Sequence, residues 1–248
     1  MPFCLSEEEK IRYRRQLSMP EIGAGGQQHL KQASVMIAGL GGLGSISAYY
    51  MAAAGVGHLK LADSDQVAGH NLNRQILHST VDIGRPKTDS AGEKLKALNP
   101  WCQIEPMAER IADDTVGAMV SGCDLILDGT DNIGTRRVLN RAAQEACIPF
   151  IFGGVNGFDG MLATFIPGRS ACLECIFPGQ KRRPPEEIGV IGPAAGVIAC
   201  LQCVEAVKIL TGNGADLSGT LVRFHGRGMR MEKTAVDPDP VCPVCSSS

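Results

Sequence analysis

The segment VMIAGLGGLGS, Val35–Ser45, constrains this chain more than any other stretch. A short apolar run leads directly into four glycines within six residues, and small apolar residues follow. That order reads as a strand, a tight turn and a helix. Gly39, Gly41 and Gly44 fit G-x-G-x-x-G: the first glycine permits the turn, the second lets backbone approach phosphate, and the third lets the helix pack on the strand. The helix N-terminus then offers free N–H groups and partial positive charge to an anion. Asp63, 24 residues past Gly39 and ending a second predicted strand, is placed to accept hydrogen bonds from a ribose. A purely structural turn is the alternative, and at this point NAD satisfies the pattern as well as ATP does.

Periodicity extends the pattern. Residues 6–32 are helical in character, opened by Ser6 ahead of three acids. Strands are expected near 34–39, 57–65, 102–111 and 123–131 and at 149–155. Helical stretches fall between them, including RPKTDSAGEKLKALNP, which is stopped by Asn99-Pro100. Strands alternating with helices of 10–16 residues imply βαβ units and a parallel sheet covered on both faces. After about residue 155 the rhythm turns antiparallel, a long apolar helix occupies GPAAGVIACLQCVEAVKILTG, and GTLVRFHGRGMRMEKTAV suggests a hairpin. The expected fold class is α/β: a Rossmann-like, mainly parallel sheet with helices on both faces and a C-terminal antiparallel elaboration. It is read as one domain over 1–248, with a nucleotide-binding half at about 8–155 and a second half at about 156–245.

The net charge of −2 gives no electrostatic reason to expect nucleic acid. Apolar runs read as broken short of the roughly 20 residues a membrane span needs. The N-terminal MPFCLSEEEK lacks the basic-then-apolar order of a signal peptide. The expectation is a soluble, cytoplasmic chain. Of its ten cysteines, Cys172/Cys175 and Cys242/Cys245 form two C-x-x-C pairs, 66 residues apart. They offer four thiolates to a structural zinc knuckle near the chain end. The rivals are a redox pair, which normally opens a helix as neither pair is expected to do, and an iron–sulfur cluster. Cys4, Cys102, Cys123, Cys147, Cys200 and Cys203 read mostly as small core hydrophobes.

Cations decide between nucleotides. An adenine dinucleotide needs few, whereas Arg15, Arg74 and Lys87, with Asn71 and Asn73 as neutral donors, cluster in loop and helix-start positions. Asp131, at the end of the fourth predicted strand, adds a carboxylate suited to Mg²⁺. Here the chain resembles the MoeB/ThiF/HesA activating enzymes, relatives of the ubiquitin-activating enzymes. The resemblance runs over roughly residues 8–245 and rests on RYRRQ, GLGGLGS, NLNRQ, GRPK, GTDN, the CLEC/CPVC pairs and GVIGPAAGVIACLQCVEAVKIL. It implies adenylation of the C-terminal glycine of a ubiquitin-like sulfur-carrier protein ending in Gly-Gly, with ATP consumed and pyrophosphate released. It further implies an ATP site of Gly42, Asp63, Asp65, Asn71, Arg74, Lys87, Asp131 and Asn132 beside the turn glycines. Asp131 would hold Mg²⁺, Arg74 and Lys87 would bind phosphate, and Asp63 would fix the ribose. Arg15 would be inserted into a partner subunit's site, hence a homodimer. His70 stands where a small polar residue is more usual.

Some members carry a cysteine in the crossover loop before the GVIGP segment. This chain has none from Phe177 to Ala199, and Pro185 takes the position by spacing. A covalent thioester or persulfide step is therefore in doubt, and a separate sulfurtransferase attacking the acyl-adenylate is the expected alternative. KRRPPEE in that loop reads as a cover over the carrier tail or as a plain solvated loop. Two rival readings remain: an NAD(P)-dependent oxidoreductase, and a catalytically weak protein that only docks a carrier.

Overall fold

Val35 and Ile37 alternate with Met36 and Ala38 along β1 (Ser34–Ala38), and all four are fully buried. Both faces of that strand are therefore covered, as the unbroken apolar run requires. The computed structural model describes residues 4–179, 189–213 and 216–246. β2 (His58–Ala62), β3 (Gln103–Met107), β4 (Leu125–Asp128) and β5 (Phe150–Asn156) extend the sheet in parallel. β6 (Asp159–Phe165), β7 (Thr220–His225) and β8 (Arg230–Ala235) add antiparallel strands. The order is β3-β2-β1-β4-β5-β6-β7-β8.

Alternate side chains sort into two layers. Val35, Ile37, Leu59, Leu61, Leu125 and Leu127 face α3 (Gly23–Gln32), α4 (Gly42–Ala54), α5 (Lys87–Leu98) and α9 (Gly192–Thr211). Met36, Ala38, Ile126, Phe150 and Phe152 face α6 (Val116–Val120) and α7 (Ile133–Ala146). The N-terminal helical stretch is broken in three. α1 (Glu7–Arg12) has a reciprocal Ser6–Glu9 capping box, and α2 (Arg14–Leu17) precedes α3. The break falls at Tyr13, whose ring lies against Gly55 and whose hydroxyl accepts from Asn99 Nδ2.

Two expectations are corrected. α9 is 20 residues long and holds an 18-residue window of mean hydropathy 1.6, so by length and composition it is apolar enough to cross a membrane. Half of that window is buried, with Gln202 and Glu205 inside the protein. It is the helix that packs on α4 and the middle of the sheet. Cys172 caps a one-turn helix, α8 (Leu173–Ile176), so the first C-x-x-C pair does open a helix. Four residues are too few to show a helical period, and none was legible. Pro185 and the whole of KRRPPEE fall in 180–188, outside the described residues.

Candidate functional site

β1 and β4 lie side by side where the strand order reverses, the place where open parallel sheets bind ligands. Gly39 follows one strand and Gly129 the other. A Cβ on Gly129 would stand 2.5 Å from Gly39 O, and one on Gly44 only 1.8 Å from the same oxygen. Three glycines thus let two loops and the first turn of α4 touch backbone to backbone. Gly39 also has φ +88°. Gly41 is different: a Cβ there would meet Gly129 O at 3.7 Å and Gln75 Nε2 at 3.8 Å, ordinary contacts, so the fold itself does not require glycine at that position.

Apart from Arg15, the other sequence-derived groups lie in loops at that edge. Asp63 accepts from Leu40 N (2.7 Å) and Asp65 N (2.8 Å), tying the end of β2 to the glycine turn. Lys87, buried at the start of α5, holds Asp65 at 2.9 Å and Asp63 at 3.6 Å. Arg74 packs its stem on Gly42 and donates to Asn71 Oδ1 (3.3 Å), Asn73 Oδ1 (3.1 Å) and His70 O (3.3 Å). His70 contributes its carbonyl to that arginine, so the departure from the family pattern leaves the bond intact. Gly192 packs against Asn73 O, and Ala195 against Gly42, bringing the first turn of α9 to the same edge. Asn132 caps α7 by accepting from Thr135 N at 2.9 Å. Asp131 lies three residues past the end of β4, exposed, with Asn132 Nδ2 at 3.4 Å.

Arg15 is not brought to this group. Its neighbour Gln16 donates to Ala54 O at the last residue of α4, while Gly42 begins that helix at the site. Thirteen residues of helix put about 18 Å between those ends. Sequence reasoning also missed residues that hold the site together. His78 is buried between Ser90 Oγ (3.0 Å) and Leu40 O (3.4 Å), and burial pushes its imidazole pKa down, leaving a neutral spacer under the glycine turn. Asp128 and Arg136 form a buried ion pair at 2.9 Å beneath Asp131. Their signal was present as the Asp just before GTDN and the Arg four residues after it, but nothing in spacing says that they meet.

Far along α7 the two C-x-x-C pairs come together. Sγ–Sγ distances are 3.6 Å for Cys172–Cys242, 3.5 Å for Cys175–Cys245 and 4.0 Å for Cys172–Cys175, and all four sulfurs lie within 4.8 Å. A tetrahedron with metal–sulfur bonds of about 2.3 Å requires sulfurs about 3.8 Å apart. The donor set therefore fits a tetrahedral thiolate site. Asp239 N donates to Cys175 Sγ at 3.4 Å, the support a thiolate ligand needs. Of the remaining cysteines, Cys102, Cys123 and Cys203 are buried, and burial raises Cys102 and Cys203 to about 12. Cys200 is half-buried, and Cys4 and Cys147 are exposed, against the expectation of core cysteines at those two.

Comparison with known proteins follows the same lines. The "ThiF family" model matches residues 13–244. The sulfur carrier protein ThiS adenylyltransferase of Escherichia coli is 38% identical, covering 98% of both chains. The sulfur carrier protein adenylyltransferase of Thermus thermophilus is 38% identical over 97% of this chain and 92% of its own. The molybdopterin-synthase adenylyltransferase of Salmonella typhimurium is 37% identical over 97% of this chain and 98% of its own. A crystal structure of E. coli MccB with MccA-N7isoASN shares the fold, with a TM-score of 0.85 at 23% identity over 98% of this chain and 76% of that one. On these grounds the chain belongs to the ThiF family.

Proposed function

We propose that this adenylyltransferase activates the C-terminal glycine carboxylate of a ubiquitin-like sulfur-carrier protein, using ATP and releasing pyrophosphate. The observation that carries the reading is the convergence of the glycine turn, the Arg74 and Lys87 cations and the exposed Asp131 carboxylate on one sheet edge. The names of the relatives support it, and they leave the nicotinamide oxidoreductase without support.

The chemistry needs positioning more than proton transfer. The carrier's carboxylate oxygen attacks the α-phosphorus, the α,β-bridging P–O bond breaks, and the electron pair leaves with pyrophosphate. The nucleophile is already anionic, so no base is required. Two anions must instead be held together, and charge accumulating on the phosphates must be neutralised. Arg74 at the mouth of the turn and Lys87 behind it supply positive charge, Lys87 exchanging an Asp65 carboxylate for phosphate oxygen. Asp63 and Asp65 bound the ribose side. Asp131 would hold Mg²⁺, which supplies charge neutralisation at the phosphates. Arg15 acts in a homodimer, reaching the triphosphate of its partner. The four cysteines would hold a structural zinc, and because the crossover loop lacks a cysteine from Phe177 to Ala199 the sulfur donor is a separate sulfurtransferase.

ATP–pyrophosphate exchange with a panel of purified carriers ending in Gly-Gly tests this. Exchange with one carrier identifies reaction and pathway together. Absence of exchange with every carrier, in protein that still binds ATP, refutes the proposal.

A further inference from the structure

β4 and β5 stay paired only through Leu127 and Ile151. Beyond that point the strands part, and the backbone groups of the gap are met by side chains from both layers. Gln202 of α9, fully buried, donates to Asp128 O at 2.9 Å and Ile151 O at 3.0 Å. Arg136 of α7 enters from the opposite face. Its Nε donates to Asp128 Oδ2 at 2.9 Å, and its Nη2 donates to Thr130 O at 2.6 Å and to Gly153 O at 2.8 Å. The guanidinium lies 4.9 Å from the Phe152 ring centroid, and the side chain is 15% exposed. A cation that deep is costly unless its donors are used. Here they join β5 to the loop that carries Asp131.

Asp128 completes the clamp. Its Oδ1 accepts from Thr130 N (2.9 Å) and Thr130 Oγ1 (2.6 Å). The amide, hydroxyl and carbonyl of Thr130 are thus all held, and Asn132 is held as the cap of α7. Asp131 stands between two anchored neighbours with its carboxylate toward solvent. The Thr130 carbonyl belongs to the peptide unit that Asp131 N completes, so rotation there swings the Asp131 side chain.

We propose that Arg136 is a positioning residue for adenylyl transfer: without meeting the nucleotide, it aims Asp131 by pinning the Thr130 carbonyl to β5. The inference rests on the reading of Asp131 as the metal-holding carboxylate. Misplacing a reacting group by about 1 Å costs on the order of 10²-fold in rate. Lysine at position 136 keeps the charge beside Asp128 but offers a single ammonium point, which cannot replace a planar fork that spans one carboxylate and two carbonyls.

The test compares Arg136→Lys, Thr130→Val and Asp131→Ala with the wild-type chain. ATP affinity is measured calorimetrically in Mg²⁺ and in EDTA, and exchange is followed against Mg²⁺ concentration. Arg136→Lys is expected to bind ATP normally in EDTA and to lose the gain in affinity that Mg²⁺ gives. It should need about ten times more Mg²⁺ for half-maximal exchange, with kcat down about 10²-fold. Asp131→Ala should show the same metal signature. Thr130→Val, which removes only the bond from Oγ1 to Asp128, should shift the Mg²⁺ profile in the same direction by less, and it stands in if the lysine variant fails to fold. A wild-type Mg²⁺ profile in Arg136→Lys, with the profile lost in Asp131→Ala, overturns the proposal and leaves Asp131 as read. An equal fall in ATP affinity with and without Mg²⁺ also overturns it, since that marks a structural role alone. If Asp131→Ala itself keeps the profile, the metal-holding reading fails first and this inference with it.

Discussion

Substituting the turn glycines one at a time separates what the fold needs from what the ligand needs. Gly41 has φ −75° and ψ −151°, a conformation any residue adopts, and a Cβ there meets nothing closer than 3.7 Å. Gly41→Ala removes unfolded-state freedom, which stabilises by about 0.4–1 kcal/mol, and places a poor residue at the N-cap of α4, which costs a comparable amount. The two offset, so the free protein should melt within about 4 °C of wild type. Nucleotide reports differently. At 100 times its dissociation constant a ligand stabilises by about 2.7 kcal/mol, a rise of roughly 5–11 °C at about 2–4 °C per kcal/mol for a domain of this size. A methyl group over the turn that weakens ATP binding 10- to 100-fold leaves only about 1.4 to 0.4 kcal/mol of that. Gly44→Ala is the opposite case. Its Cβ would have to retreat about 1.5 Å from Gly39 O to reach an ordinary contact near 3.3 Å, and the free protein should lose on the order of 3 kcal/mol or more. Thermal melts with and without Mg²⁺–ATP read both. A full nucleotide shift in Gly41→Ala refutes the assignment of Gly41 to phosphate approach. A collapse of its ligand-free melting point, matching Gly44→Ala, refutes it equally.

Cys242→Ser should abolish one equivalent of bound zinc per chain by elemental analysis and lower the melting temperature by about 8–16 °C, equivalent to losing roughly 4 kcal/mol; undiminished metal content would dismiss the four-thiolate site. For Asp82, burial alone would raise the carboxyl pKa, but the Lys94 ammonium and the Ser79 hydroxyl and N–H overcome it and hold it well below the usual range. A depressed carboxyl stabilises above its ordinary value of 3.8 and loses that contribution as pH falls below it. Asp82→Asn should therefore be less stable near neutral pH and flatter in stability between about pH 4 and 2, and parallel acid-unfolding curves would contradict this. Arg15→Ala and Asp131→Ala, each down about 10²-fold alone, should regain about a quarter of wild-type exchange when mixed, because each heterodimer rebuilds one whole site; a mixture no more active than its components would argue that Arg15 does not act across subunits.

The parallel half of the fold was legible because its strands and helices repeat at periods that side-chain burial imposes. Leu125–Asp128 is a run buried on both faces, and the helix after it carries Asn132 as cap. The turn glycines, Asp63, Arg74 and Lys87 share one edge for a related reason: loops that each follow a parallel strand gather at its C-terminal end. α8 escaped because one turn has no period. The apolar length of α9 was underestimated because its glycines and charged residues, Glu205 among them, look like interruptions in a string of letters. In the folded chain Gln202 Nε2 donates to two strand carbonyls while its Oε1 is left buried without a partner, and Glu205 accepts from Leu217 N, so neither residue interrupts the packing of the helix.

What stayed hidden shares one physical character. Arg136 and Gln202 act on backbone carbonyls exposed where β4 and β5 separate, and a carbonyl leaves no trace in residue identity. His78 acts on Leu40 O in the same way. Arg15 differs: its motif was plain, yet RYRRQ divides in the fold into anchors and free cations. Tyr13 and Gln16 are tied to Asn99 and Ala54, and Arg12 to Leu98 O beneath Trp101, while Arg14 and Arg15 are left exposed. Anchors that rigid would hold an exposed arginine at a fixed place on the surface, at the end of α4 remote from its own glycine turn. An arginine fixed there can serve a site only by meeting one from another chain, which is why the mixed-variant assay bears on Arg15 more directly than any substitution in a single chain.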